Sequence, residues 1–477
     1  MGPIPSVPAH PDGHNLPRQF TSRQALQATL QGLFPQAPGP LSPIAGGRRA
    51  ALERLAAIEP HRYGQTRNAL AGAVTRLSPY IRHGVLPLAE VRDAVFAWLE
   101  ASGAPRQQGE KLIQELAWRD YWQRLWQQLG DGIWHNREPL KTGHAPEHYA
   151  SALPEDIRQG QTGLACIDAF SSELSNTGWL HNHARMWLAS YVVHWRRVQW
   201  QAGARWFLQH LLDGDPASNN LSWQWVASCF SSKPYIFNRA NLERFSGGVH
   251  CQACGAAAAG RCPFDASYEA LASQLFAEEL EPAPHIPARP DAPVPGELPA
   301  PSPALKAPVV WVHGEALGTA NPALLAHPDR PALFVFDDAL INGSEESQGL
   351  SLKRLGFLYE CLLELPLTLR HGDVAAQVLA FARRHGADGV VTSTAVDPRF
   401  ASICAQIATE LPVQVLATTP FVPLEAPVDL RRFSRYWRRA EPALWSRWPL
   451  TASAPPGAGP PPAGARPRRG AADLAPR

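Results

Sequence analysis

Thr177-Gly178-Trp179-Leu180-His181-Asn182-His183-Ala184-Arg185-Met186, then Leu211-Leu212-Asp213-Gly214-Asp215-Pro216-Ala217-Ser218-Asn219-Asn220, are the runs on which the fold of this chain is decided. The first places Asn182, Arg185 and Met186 at helical spacing, so the three share one face behind a glycine turn. The second sets two acids around a Gly-Asp-Pro turn and follows them with two amides, leading to Trp223-Gln224-Trp225. That composition suits a Ca²⁺ loop, but EF-hand spacing is absent and no glutamate closes it, so no metal is expected there.

Two further segments lie upstream. Glu115-Leu116-Ala117-Trp118-Arg119-Asp120-Tyr121 spaces Glu115 and Trp118 by three, putting a carboxylate beside an indole on one helix face. Such a pair can hydrogen-bond and stack on a nucleobase, or simply form part of an amphipathic helix with a core tryptophan. Tyr63, with Thr75-Arg76-Leu77-Ser78-Pro79-Tyr80, offers hydroxyls and backbone amides at a helix start, suited to a phosphate. The plainer alternative is an ordinary helix start with Ser78 as cap and Pro79 in the first turn.

Around these runs the 477 residues divide by pattern, and the length itself argues for two domains. Residues 1–45 read as a Pro-rich extension, disordered through 19, with a short helical pattern from Ser22 to Leu33. From 46 to 280 the apolar positions recur at helical spacing, giving an all-α domain. A Pro-rich, semi-rigid linker spans 281–307. From 308 to 450 short β-like runs (Val309–Val312, Ala332–Phe336, Gly389–Thr392, Val413–Leu416) alternate with helical runs near Leu352–Leu363 and Ala375–Arg384. That alternation predicts a smaller α/β, Rossmann-like domain with a parallel sheet. The tail 451–477 reads as disordered.

Composition narrows the function classes. No apolar stretch approaches the ~18 residues of a membrane span, and no secretory leader is read at the start. Met1-Gly2 with Ser6 resembles a myristoylation pattern only by chance, since Pro3 follows the glycine. The net charge of +2 is uninformative, and the local excess of 22 Lys+Arg over 18 Asp+Glu between Gly46 and His250 allows a phosphate-binding face without requiring one. Seven cysteines do not suggest a secreted disulfide framework, so a reducing cytoplasm is the expected location.

Taken in order and at their spacings, TGWLHNHARM, LLDGDPASNN and WQW resemble the FAD-binding domain of the photolyase/cryptochrome family over roughly Gly46 to Arg244. The resemblance implies a U-shaped FAD in a helical bowl. Tyr63 and Thr75, Arg76, Leu77 and Ser78 would hold its diphosphate and ribityl region. Arg185 and Asp213 would pair beside the flavin ring, Asp215 would bond its polar edge, and Asn219 would face flavin N5, where asparagine is the photolyase choice. Trp223 and Trp200 would begin an electron relay whose third member is open, with Tyr149 or Trp134 as substitutes.

The resemblance also implies a substrate: DNA containing a cyclobutane pyrimidine dimer, flipped out of the duplex. Trp118 and Trp225 would stack on it, Glu115 and Asn182 would hydrogen-bond its edges, and Met186 would close the pocket. Enzymes similar to (6-4) photolyases carry histidines where Asn182 and Met186 stand. His183 replaces a residue that is often arginine, while Arg196, Arg197, Lys233, Arg239 and Arg244 remain to meet phosphates. The implied chemistry is light-driven: excited reduced flavin donates an electron, the ring splits and the electron returns, which is a lyase reaction by a monomer. The rival is a cryptochrome-type blue-light photoreceptor, and a third option is a flavin-binding relic.

Cys251-x2-Cys254-x7-Cys262, with Cys166 as a fourth ligand, suits a 4Fe-4S cluster, zinc, or plain thiols. Some bacterial photolyase-like proteins are similar in carrying such a cluster. Cys229, Cys361 and Cys404 read as buried small hydrophobes. The α/β half resembles the photolyase antenna domain, which precedes the FAD domain in most members and here follows it. Gly314-Glu315-Ala316-Leu317 stands where a basic motif is usual, so an antenna chromophore is doubtful.

Overall fold

The computed structural model describes residues 15–277, 305–344, 348–425 and 427–448. Helices alone occupy the chain up to Tyr268–Leu275, and all five strands follow. Those that matter below are α1 (Arg23–Leu33), α2 (Gln107–Leu129), α3 (Asn182–Ser190), α4 (Trp200–His210), α5 (Pro216–Ala227), α6 (Leu352–Leu363) and α7 (Phe433–Trp445). The strands are β1 (Val309–Val312), β2 (Ala332–Asp337), β3 (Thr368–Gly372), β4 (Val390–Ser393) and β5 (Val413–Leu416). They form one parallel sheet in the order β3-β2-β1-β4-β5.

Four of the five strands match the β-like runs of the sequence; β3 does not. Its Thr-Leu-Arg-His-Gly carries too few apolar residues to announce an edge strand, where one side needs no cover. Along β1 the side chains alternate between two cores. Val309 and Trp311 pack with Leu333 and Phe400 on one face. Val310 and Val312 join a larger cluster that runs through Leu30, Tyr80 and Tyr121 to Tyr436. That cluster belongs to both halves of the molecule. A separate core, holding Trp187, Trp200 and Trp223, lies within the helical half.

Two segments depart from their sequence assignment. The disorder expected through residue 19 stops short: from Asn15 on, the extension is a strap on the sheet half. Leu16 N–H donates to Leu369 O of β3 at 2.7 Å. The Arg18 guanidinium donates to the carbonyls of Leu362, Leu365 and Leu367 at 3.3, 2.6 and 2.7 Å, closing the exposed C-terminal end of α6. The segment leading to α7, counted with the α/β domain on sequence, returns to the helical half. There Tyr436 Oη donates to Asp120 Oδ2 at 2.7 Å, and Arg106 pairs with Glu441 and lies over the Trp445 ring. Residues 1–14, most of the linker read at 281–307 and the tail from 451 lie outside the described residues.

The halves meet at a buried histidine. His83 presents Nδ1 to Gly314 O at 2.8 Å and Nε2 to Leu212 O at 3.0 Å. Two carbonyls favour the protonated ring, but burial and the nearby Arg82 and Arg354 outweigh them, and its pKa falls to about 3. His210 is likewise pushed down to about 3, and His181 and His194 to about 4, each mainly by burial. A depressed folded pKa means that the unfolded chain binds the proton first, near pH 6.5. Stability is therefore full above pH 6.5 and lost as pH falls toward 3. Urea melts at pH 7, 6 and 5 should show this loss, and His83→Gln should flatten the slope by up to about 1.4 kcal/mol per pH unit. An unchanged slope in His83→Gln would remove His83 from the account.

Candidate functional site

α5 packs against both α2 and α3, and the three helices carry most of the sequence-selected residues. Gly178, with φ +70, ends the helix Ala165–Thr177 in the left-handed conformation and turns the chain into α3. Asp215 caps α5: its carboxylate accepts from Ser218 N–H at 2.9 Å and Ser218 Oγ at 2.7 Å. Arg185 at the centre of α3 reaches Asp213 at 2.9 Å and also donates to Leu180 O. Asn219 donates to Ala204 O and Asn220 Oδ1, both at 3.1 Å.

Asp215 departs from the role implied for it. Besides Ser218 it accepts from Gln123 at 2.8 and 2.9 Å and faces Arg119 and Arg82 at 3.5 and 3.8 Å, with its side chain 1% exposed. Against the cost of burial, these two cations and the Ser218 hydrogen bonds keep its pKa below the usual carboxylate range. A carboxylate so engaged works as cap and charge centre rather than as a free edge for a ligand.

The phosphate-directed segment is placed differently from its sequence reading too. Leu77, not Ser78, is the cap of the short helix Ser78–Arg82, with Pro79 in its first turn. Arg76 adopts φ +52 and lays its guanidinium over the Trp179 ring, 4.5 Å from the centroid. Thr75 and Ser78 are half-buried beside it. Tyr63 has its pKa raised by burial first and by the charge of Glu115 second, so the two side chains are neighbours.

Among the substrate-directed residues, Glu115 pairs with Lys111 at 2.9 Å and Arg67 at 3.4 Å. The residue after Arg67, Asn68, offers its carbonyl to His183 Nδ1 at 2.8 Å, which ties this corner of α2 to the start of α3. Asn182 is exposed, with its amide 3.8 Å from Met186 Sδ. Trp225 is half-buried against Tyr235. Trp118 has one face covered: Phe433 of α7 lies flat on it, with centroids 3.7 Å apart and planes 8° apart. Only the opposite face is left for a base. Of the cations read as phosphate contacts, Arg196 is taken by Asp156 and Arg239 by Glu243 and Asp265, whereas Arg197, Lys233 and Arg244 are exposed.

Trp223 and Trp200 share one core, and Tyr149 joins them there, while Trp134 packs on the other cluster. Trp200 donates its indole N–H to Asn136 at 2.7 Å. Trp223 stands edge-to-face with Phe207, and its N–H has no partner. Nor have the buried Asn220 Nδ2, Arg205 Nε and His181 Nε2. Unpaired buried donors within the matched helical segment suit a polar ligand with many acceptors, as FAD is.

Residues 112–247 match the family model described as the FAD binding domain of DNA photolyase. Over that segment the chain resembles the photolyase/cryptochrome family. It is 37% identical over 169 residues to a deoxyribodipyrimidine photo-lyase of Streptomyces griseus, covering 35% of this chain and 34% of that one. It is 33% identical over 232 residues to that of a Synechococcus strain, covering 45% and 44%. It is also 33% identical over 167 residues to a cryptochrome DASH of Oryza sativa, covering 35% and 28%. The chain thus spans between a quarter and a half of the length of these relatives.

The four sequence-selected cysteines converge. Cys166, Cys251, Cys254 and Cys262 line one small closed cavity together with His250 and Phe264. The Cys166 thiol is pushed up to about 12, by burial first and then by the three other thiols. Cys254 is instead lowered, because backbone hydrogen bonds at Ala165, Ala257 and Ala256 outweigh its burial. No three His, Cys, Asp or Glu side chains among the described residues are arranged to hold a single metal ion. Four thiols around a cavity suit the larger cube of a cluster better than one zinc.

The usual ligand crevice of a doubly wound sheet lies where the strand order reverses, here between β1 and β4. It is already bridged. His313 Nε2 meets Ser393 O at 2.9 Å, and Glu315 accepts from Val396 N–H at 3.0 Å and from Arg82 at 3.1 Å. An acid locked to the helical half stands where an antenna ligand would enter, and the residues do not fit one.

Sequence reasoning passed over Arg82, Lys353, Arg354 and Phe433. The available signal was a Lys-Arg pair inside an otherwise apolar helical run. It also passed over Gly203 of α4, where a Cβ would overlap the Trp223 indole, so the helix is cut back to admit that ring. Gly203→Ala should destabilise the fold by about 1–3 kcal/mol, as overpacked cores do, and alter indole fluorescence. Urea melts and emission spectra check this, and a variant as stable as the parent would contradict the packing described.

Proposed function

We propose that this protein binds FAD in its helical half and uses it to split cyclobutane pyrimidine dimers in DNA under blue light. The observation that carries the reading is the Arg185–Asp213 pair with Asn219 one turn on, inside the segment that matches an FAD-binding domain. When bound and reduced, the flavin supplies a photoexcited electron to the dimer and recovers it, so the net change is bond cleavage alone.

The chain's own part is to bind, orient and exclude water. Arg185 and Asp213 hold the ring region and offer it a fixed charge pair in a low-dielectric setting. Asn219 presents a neutral amide. Tyr63 and the Thr75–Ser78 segment border the bowl and hold the diphosphate side. Trp223 and Trp200 form the first steps of a path for reduction, with Tyr149 as the third. Glu115 and Asn182 hydrogen-bond the extruded bases, Trp225 and the open face of Trp118 stack on them, and Met186 closes the pocket. Arg197, Lys233 and Arg244 meet the backbone phosphates.

A second reading, a cryptochrome-type photoreceptor without repair, is favoured by one observation: Phe433 already occupies a face of Trp118. A repair assay separates the two. Reduced protein is illuminated with an oligonucleotide bearing one thymine dimer, single- or double-stranded, beside a dark control. Repair is expected in the light only, with a tenfold or greater loss in Glu115→Gln and Trp118→Ala. A photoreducible protein that leaves the dimer intact would overturn the repair reading, and (6-4) lesions and then a photoreceptor role would be tested next.

We also propose that Cys166, Cys251, Cys254 and Cys262 hold a 4Fe-4S cluster. Anaerobically purified protein should contain about four iron and four acid-labile sulfide per chain, and Cys254→Ser should lose both. Zinc at one per chain, or neither metal, would refute it.

A further inference from the structure

α6 of the sheet half carries Lys353 and Arg354 at its start, and both are buried, at 0% and 7% exposure. Neither faces solvent, and among the described residues neither forms an ion pair with a carboxylate. Instead, Arg354 donates to Leu208 O and, at 3.1 Å, to Gly214 O. Lys353 Nζ lies 3.2 Å from His210 Nδ1. The accepting groups all belong to the end of α4 and to the 211–215 turn, which carries Asp213 and Asp215.

The two glycines in the family motifs record how close this approach is. A Cβ on Gly178 would lie 2.9 Å from Lys353 Cδ, and one on Gly214 would lie 3.0 Å from Arg354 Cζ. The first is closer than real Cβ contacts come, and the second is tighter than most. The stems of two consecutive cations therefore rest on the Thr-Gly-Trp turn and the Asp-Gly-Asp turn. Arg82 also donates to Gly214 O at 3.1 Å, so that carbonyl is held by two guanidiniums. Burial lowers the pKa of Arg354 to about 9 despite Asp213 and Asp215, and that of Lys353 to about 8. Two cations buried in this way cost free energy that their carbonyl and imidazole contacts must offset, so they contribute placement more than stability.

We propose that Lys353 and Arg354 are positioning residues of the flavin site: the sheet half completes that site by clamping the 178 and 211–215 turns and by setting positive charge behind Asp213. This rests on the flavin reading above. Its consequence is that the flavin's electron affinity depends on a domain outside the matched FAD-binding segment. Positive charge behind the site stabilises the anionic reduced flavin, and its removal disfavours reduction.

The test uses the full chain. Arg354→Met keeps the length and removes the charge, Arg354→Lys restores charge without the two-pronged hydrogen bonding, and Lys353→Met tests the neighbour. The flavin midpoint potential is measured by dye-coupled titration, and amide hydrogen exchange of residues 211–215 is followed in flavin-free protein. In Arg354→Met we expect at least a tenfold fall in the reduced-to-oxidised ratio at a fixed poise, about 30 mV for a two-electron couple, with faster exchange of the turn. Arg354→Lys should recover most of the potential but not the protection. Arg18→Met, which loosens the far end of α6, should lower stability and leave the potential alone. A flavin-loaded Arg354→Met with an unchanged potential overturns the proposal. If Arg354→Met does not fold, an Arg354→Lys potential equal to the parent's with no change in exchange overturns it equally. A parent chain that takes up no FAD sinks the flavin reading itself, an outcome distinct from either.

Discussion

A carboxylate with 1% of its side chain in contact with solvent must be answered by donors on all sides, and Asp215 is. Gln123 and Arg119 come from α2, Ser218 from its own helix and Arg82 from the short helix Ser78–Arg82, so three pieces of backbone are fixed around one group. Arg82 then continues to Glu315 in the sheet half. Burying one charge without this network would cost several kcal/mol, and removing any donor leaves that cost uncompensated. The 211–215 turn is held from both sides because of it, and the Arg185–Asp213 pair inherits its position from a neighbour that is not free to move.

Much of the helical half was legible because its motifs are dense in residue types that helices and turns need at set positions. Gly178 at a left-handed helix end, Asp215 ahead of Pro216 as a cap, and Arg185 three residues beyond Asn182 all read directly from their order. The grouping of Cys251, Cys254 and Cys262 was legible from spacing, whereas Cys166 entered as the candidate fourth ligand that the family resemblance supported. What was not legible is long-range. Nothing in Thr368–Gly372 marks an edge strand, since its pairing partner lies in Ala332–Asp337. Nothing local says that Phe433 will lie on Trp118, some 300 positions earlier, or that Asp215 will be saturated by residues from α2 and from Arg82. Site roles taken one residue at a time miss such sharing, because a side chain's capacity for hydrogen bonds is finite.

The sheet half has the topology of a ligand-binding domain but has lost the opening. Glu315, fixed to Arg82 and to Val396 N–H, stands in the crevice at the strand-order reversal. The same half sends Lys353 and Arg354 the other way, into the helical core. The contacts of this half run to its neighbour rather than into its own crevice. The shared hydrophobic cluster makes the arrangement more than a docking contact, since Tyr80, Val310 and Tyr436 are parts of one core. A fold can retain a sheet topology while the work done there changes, because function resides in side chains at the strand ends.

The strap from Asn15 has an implication for how the chain is made. Its partners, Leu362 to Leu369, leave the ribosome some 350 codons later, roughly 20–70 s at ordinary translation rates. Through that interval Leu16, Leu26 and Leu30 have no surface to cover, and the helical half lacks both α6 and α7. This early segment and the much later α6 and α7 close the described structure together, so its completion waits until those helices have been made. The nascent chain would then depend on holding chaperones more than a protein whose N-terminal domain folds as it emerges.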